Sequence, residues 1–318
     1  MKGDIPLFDL SSLNSEAVAL GINVGASPFA NPATAAGLLG PGAHREDEAL
    51  SYLQMPKEMT TFEIPVLPEV EELAAHPQAG RLLDQLQTVL DAFASGEQAL
   101  NSSQVVPLAG IDADACALLY QTLGEGEVAL MVQAPDYHLR VQETVLAGVW
   151  WIQQVNADQQ LQQQWLEVGA IPTAVSRHAF PALHSDSFEL GPRPADLLNG
   201  ASVMVELLDQ ARCHAAAPLS EPYVVNLSLL PFSDEDHRWL NQRLRVGHVV
   251  ILSRGYGNCR ITSTGVAGIW RVQYFNSTDQ LILDTLEVVK VPQVACAARE
   301  DLEDSAERLR EIHAALQA

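Results

Sequence analysis

The sequence predicts an α+β protein. Two tandem pseudo-symmetric repeats are expected, each a helix–strand–helix followed by an antiparallel four-stranded meander, with a C-terminal helix closing the chain. Three observations carry this. First, Ala147-Gly148-Val149-Trp150 returns 120 positions later as Ala267-Gly268-Ile269-Trp270, and its flanks return with it. Thr144 matches Thr264, Asn156 matches Asn276, Gln160-Leu161 matches Gln280-Leu281, and Leu166-Glu167-Val168 matches Leu286-Glu287-Val288. So many anchors in one register indicate an internal duplication, and two copies make a pair rather than a solenoid. Second, within each copy the apolar period changes from helical spacing to strict alternation. Third, the alternating runs follow one another through short turns, which builds meanders rather than crossovers.

Residues 1–77 lie outside the duplication. They are rich in Ala, Gly, Pro, Ser and Asn and hold no sustained period, so an extended, partly disordered arm is expected there. Module one with its linker is assigned to 78–195. Leu82, Leu83, Leu86, Val89, Leu90 and Phe93 form one helical stripe, stopped at Gly96. Val105 to Leu108 reads as a short strand. Asp112 is an N-cap for a helix through Leu123. Alternation then begins at Val128 and continues through three more strands, the last spanning Gln160 to Ile171. That strand is rich in glutamine, and its plainly β-forming counterpart at Gln280 to Val291 decides it. The linker runs from Ser176 to Asn199. Module two, 196–318, repeats the order: helix Val203 to Cys213, strand Tyr223 to Leu229, helix Asp234 to Leu244 capped by Ser233, then four strands. The closing helix runs from about Glu300 to Leu316, acidic at its start and basic further on, as the helix dipole favours.

The formal net charge is −22, which opposes binding to nucleic acid or anionic lipid through phosphates. No apolar run approaches the roughly 18 residues of a membrane span. The first residues lack a secretory h-region, so cytoplasmic residence is expected. Charge sign diverges between the copies. Asp112, Asp114, Glu125, Glu127, Asp136 and Glu143 crowd the first, and Arg238, Arg243, Arg245, Arg254, Arg260 and Arg271 the second. Fixed apolar anchors with drifting exteriors suggest modules specialised for partners.

Chemistry-bearing constellations are sparse. The four cysteines, Cys116, Cys213, Cys259 and Cys296, form neither C-x-x-C pairs nor a disulfide framework. Nine histidines include no H-E-x-x-H, and His178 and His184 beside Asp186 are placed as solvated linker residues before metal ligands. Glu125 and Glu127 are compatible with acid–base work, but Val246 and His248 stand at their counterparts. No catalytic set and no cofactor site emerge. The hexad Gly255-Tyr256-Gly257-Asn258-Cys259-Arg260 reads first as a hairpin turn requiring positive φ. The equivalent turn carries Tyr137, so a tyrosine at each tip suggests a paired contact surface. Trp151 stands where the second copy has Arg271, so Trp150 and Trp270 are expected in the core and Trp151 outside. These eight residues, Tyr137, Trp151 and Gly255 to Arg260, are the partner-binding candidates.

Leu39-Gly40-Pro41-Gly42, Leu123 to Val128, Gly255 to Ile261 and Glu300 to Leu309 resemble the HupH/HyaF/HoxQ family of hydrogenase expression proteins, from about Leu38 to the C-terminus. The resemblance implies a cytoplasmic, non-catalytic accessory protein, a chaperone or scaffold in [NiFe]-hydrogenase maturation. It would bind the iron–sulfur small-subunit precursor before assembly and export, together with other maturation factors. An alternative is a metal or iron–sulfur cluster handling protein with Cys259, and Cys296, as thiolate ligands.

Overall fold

A computed structural model describes residues 68, 70–181, 188, 190–217, 221–254 and 257–316. Among these, helices α1 (Val70–Ala75), α2 (Pro77–Ala94) and α3 (Ala113–Leu123) accompany strands β1 (Ser103–Pro107), β2 (Val128–Ala134), β3 (Tyr137–Glu143), β4 (Val149–Val155) and β5 (Leu161–Gly169). Helix α4 (Thr173–His178) follows. The second half holds α5 (Gly200–Ala216), β6 (Tyr223–Asn226), α6 (Asp234–Leu244), β7 (Val246–Ser253), β8 (Asn258–Thr264), β9 (Ile269–Phe275), β10 (Leu281–Val288) and α7 (Arg299–Ala315). The arm expected to 77 is corrected at its end, where α1 is helical and Leu73 packs on the core. The remainder of that arm lies outside the described residues. The linker expected from Ser176 begins inside α4.

The mixed helices and antiparallel strands make an α+β protein. Among the described residues ten strands join one sheet in the order β1-β5-β4-β3-β2-β7-β8-β9-β10-β6. Read outward from the β2–β7 seam, each side passes three meander strands and ends on the strand that opened its half. One row of cross-strand partners crosses the whole sheet: Pro107, Trp165, Ile152, Val141, Leu130, Ile251, Ile261, Val272, Thr285 and Asn226.

The recurring residues have local reasons. Gly148 and Gly268 adopt φ of 78° and 83°, which suits only glycine, and Leu302 stands 2.5 Å from where a Cβ at Gly148 would lie. The Thr144 and Thr264 hydroxyls accept from Leu146 N at 3.2 Å and Val266 N at 3.1 Å. The Asn156 and Asn276 side chains accept from Gln160 N and Gln280 N, both at 2.9 Å, closing matching β4–β5 and β9–β10 turns.

Helices cover one face of the sheet. Over the first half, α2, α3 and α7 bury Trp151, Leu166 and Val168; over the second, α5 and α6 bury Ile269, Leu286 and Val288. The opposite face has its own core of Leu130, Val141, Trp150, Ile251, Ile261 and Trp270, capped by α4 and the segment after β10. The halves exchange tails. After β5, the Ala179 carbonyl accepts from His248 N of β7, and the Pro192 carbonyl accepts from the Trp239 indole of α6. After β10, Ala297 N donates to Ala170 O, and Ser305 of α7 donates to Ala147 O at 2.9 Å. Thus α7, assigned by sequence to the second module, packs in the first half's core.

One buried acid sits under this clasp. Glu143 ends β3, and its carboxylate accepts from Gly148 N at 3.0 Å. Burial raises its carboxyl to about 7 against the Gly148 hydrogen bond, with Glu127 and Asp301 adding repulsion. A raised folded pKa makes stability fall as pH climbs from the unfolded value of about 4.3 through about 7, by on the order of 3 kcal/mol. Glu143→Gln is expected to remove that part of the pH dependence, read as melting temperature between pH 5 and 8. An unchanged profile would contradict it.

Candidate functional site

The predicted contact residues do not converge. Strands β2 and β7 run antiparallel, with Val128 opposite Ser253 and Val132 opposite Val249. The β2–β3 turn bearing Tyr137 and the β7–β8 turn therefore leave opposite ends of the sheet, about 20–25 Å apart at ~3.3 Å per residue. Gly255 and Tyr256, at the tip of the second turn, lie outside the described residues. Gly257 is exposed, while Asn258, Cys259 and Arg260 are buried. Trp151, expected outside, is 0% exposed. Its ring meets Tyr120 of α3 edge-on with centroids 5.0 Å apart. The reasoning from Arg271 failed because that arginine is itself tucked under α6, paired with Asp284 and Asn241.

Burial pushes the Cys259 thiol up to about 12 despite a hydrogen bond with Tyr274, and burial pushes Cys296 up to about 11. Cys259 is 2% exposed, so its sulfur is enclosed by protein in the folded chain. Among the described residues no group of three His, Cys, Asp or Glu side chains is placed to hold a metal ion. In the folded chain an aromatic disulfide reagent is expected to react first at the exposed Cys213, with Cys116 and Cys259 protected until unfolding. Early labelling of Cys259 would contradict this burial.

What the structure does bring together lies at the outer end of the first half. On the face opposite the helices, β1, β5, the β4–β5 turn and α4 enclose an open groove of about 1560 Å³. Alternation explains the lining. In β5, Leu166 and Val168 turn to the helices, so Gln163, Trp165 and Glu167 turn to the groove. Tyr137 forms one wall, its ring stacked on His178 with centroids 4.5 Å apart. Glu167 forms the floor, 4% exposed. Its Oε1 accepts from Ser103 Oγ at 2.6 Å, Thr173 N at 2.8 Å and Thr173 Oγ1 at 2.7 Å. Burial raises the Tyr137 hydroxyl, Glu167 raises it further and Arg177 opposes, so these three groups share one field.

Of the sequence-predicted contact residues that are described, only Tyr137 lines this groove. Glu167, Trp165, Thr173 and Arg177 were missed. The available signal was Gln162-Gln163, which stands where the other half has Ile282-Leu283. A polar strand replacing an apolar one at fixed register indicates a surface with its own task.

A single antiparallel sheet with its main helical layer on one face and an open polar groove at one edge defines the class as α+β. No described helix is long and apolar enough to cross a membrane. The chain belongs to the HupH hydrogenase expression protein family, whose C-terminal conserved region matches residues 77–181 and 197–316. It is 55% identical over 281 residues to the hydrogenase expression/formation protein HupQ of Azotobacter chroococcum mcd 1, covering 87% of this chain and 96% of that one. It is 43% identical to HupH of Rhodobacter capsulatus, covering 86% and 94%. A solved structure of the hydrogenase expression protein HupH from Thiobacillus denitrificans is 22% identical and aligns at a TM-score of 0.34, covering 36% of this chain and 95% of that one. A role in hydrogenase expression and formation follows from this membership.

Proposed function

We propose that the protein is a non-catalytic, cytoplasmic accessory factor of [NiFe]-hydrogenase maturation, a chaperone or scaffold that holds the iron–sulfur small-subunit precursor before assembly and export. The observation that carries this reading is the groove, open along β5 beside the edge strand β1 and lined by amides and aromatic rings. Such a surface suits an extended polypeptide: main-chain groups of an edge strand give affinity and side-chain pockets give selectivity. The acidic chain favours a cationic partner segment. The two halves are taken as copies of one unit. Co-purification from hydrogenase-expressing cells is the test. The small-subunit precursor is expected in the eluate, and its absence would contradict the reading.

A further inference from the structure

We infer that the pocket between α5, α6 and the segment leading into α5 docks an acidic stretch of a partner protein through one large apolar side chain. The pocket lies over the second half, apart from the groove of the first. It holds about 400 Å³, and Leu190, Arg193, Ala201, Val205 and Trp239 are among its lining residues. Trp239 is 3% exposed, and its indole N–H is already spent on Pro192 O at 3.1 Å, so the ring offers the pocket hydrocarbon. Val205 on α5 is 53% exposed, and Leu198, just before that helix, is 61% exposed. An apolar pocket floored by a buried tryptophan, with exposed aliphatic side chains beside it, suits a single anchoring side chain of a partner.

The charges select the partner's sign. Arg193 lines the pocket and makes no ion pair or hydrogen bond with any described residue. Arg243 stands behind the wall. A Cβ on Gly191 would lie 2.7 Å from its Nη1, and its guanidinium carbon is 5.6 Å from the centroid of the Trp239 ring. Its Nη2 donates to Pro192 O at 3.4 Å, its Nε is buried without a hydrogen-bond partner, and no described carboxylate pairs with it. Asp236, the acid at the entry to α5, is 0% exposed and turned to backbone N–H groups and Ser233. Two cations without a carboxylate partner at one apolar pocket set it apart in a chain of net charge −22. Carboxylates flanking the anchor supply the missing counter-charge.

The first half shows that the shared fold does without these residues. The caps Asp112 and Ser233 align α3 with α6, which puts Leu118 and Thr122 where the second half has Trp239 and Arg243. The match of Leu82-Leu83-Asp84-Gln85 with Leu207-Leu208-Asp209-Gln210 puts Gly80 at the place of Val205, and a Cβ on Gly80 would meet open space. Tryptophan, arginine and valine are thus particular to the second half, as a surface with its own partner requires.

The probe is a capped, fluorescein-labelled peptide with one central phenylalanine flanked on both sides by glutamates. It is titrated into the full chain by fluorescence anisotropy in about 0.15 M salt, which screens the chain's distant charges. Two comparison peptides replace the phenylalanine by alanine or the glutamates by glutamine, and each is expected to bind at least about tenfold more weakly. Arg193→Gln should abolish the preference for glutamate over glutamine. Val205→Asp should weaken the probe about tenfold. Both positions are exposed, so neither change opens the core. Val105→Asp, at the far edge of the sheet, should leave the probe's affinity unchanged. No binding of the probe, equal binding of the three peptides, or a preference that survives Arg193→Gln overturns the inference. A chain that sediments as a dimer and turns monomeric with Val205→Asp makes the pocket a self-interface, and overturns it too. The pocket's partner is independent of the small-subunit reading, so failure to recover the small subunit would leave this inference in place.

Discussion

Asp236→Ala is expected to destabilise the fold by about 3–5 kcal/mol, the range for stripping a buried charge network of one partner. Asp236 is 0% exposed and serves two helices at once. Its Oδ1 accepts from Leu198 N at 3.0 Å, Asn199 N at 3.1 Å and Gly200 N at 2.7 Å, at the entry to α5. Its Oδ2 accepts from Ser233 N and Ser233 Oγ, both at 2.9 Å, completing the capping box of α6. Alanine would leave these donors buried without acceptors. Burial by itself would raise the carboxyl, but the hydrogen bonds from Ser233, Gly200 and Leu198 outweigh it and hold the group below the usual carboxylate range. The contribution is therefore complete above the unfolded value of about 3.9 and is lost as pH falls towards the depressed folded value. Urea unfolding at neutral pH and below pH 4 reads both effects. A loss under about 1 kcal/mol at neutral pH would contradict this assignment.

Arg271→Ala carries a comparable expected cost, about 3–5 kcal/mol. Arg271 Nε donates to Asp284 Oδ1 at 2.8 Å, its second nitrogen donates to Oδ2, and a third donates to Asn241. Asp284 is 3% exposed, so removing the arginine strands a buried charge. The first half solves the same site without charge. Tyr120, Trp151 and Gln164 stand there, the indole donating to Gln164 Oε1 at 3.4 Å and packing edge-on against Tyr120. Transplanting that set, Asn241→Tyr with Arg271→Trp and Asp284→Gln, is expected to recover most of the loss, because the three positions act as one unit. Chemical denaturation of the single, double and triple variants measures it. A triple variant no more stable than Arg271→Ala would count against the two sites being equivalent.

The elements were legible because each carried its own local signal. Asp112 and Ser233 cap the helices they were expected to cap, and the glutamine-rich β5 was placed by its apolar counterpart. Helix α4 was not legible, because six residues after Pro172 carry too little period to separate from a linker. Trp151 was misplaced because an arginine at the matching position was taken as a sign of solvent, whereas a paired arginine is compatible with burial. The groove was hidden for a different reason. Its floor residue, Glu167, matches Glu287 between the halves and so looked like a shared structural anchor.

Hydrogen–deuterium exchange of the full chain, with and without the hydrogenase small-subunit precursor, tests the central claim most directly. Slowed exchange is predicted along β1, β5 and α4, with the α5–α6 layer unchanged. Protection confined to the helical layers, or no protection anywhere, would contradict a partner held at the open edge of the first half.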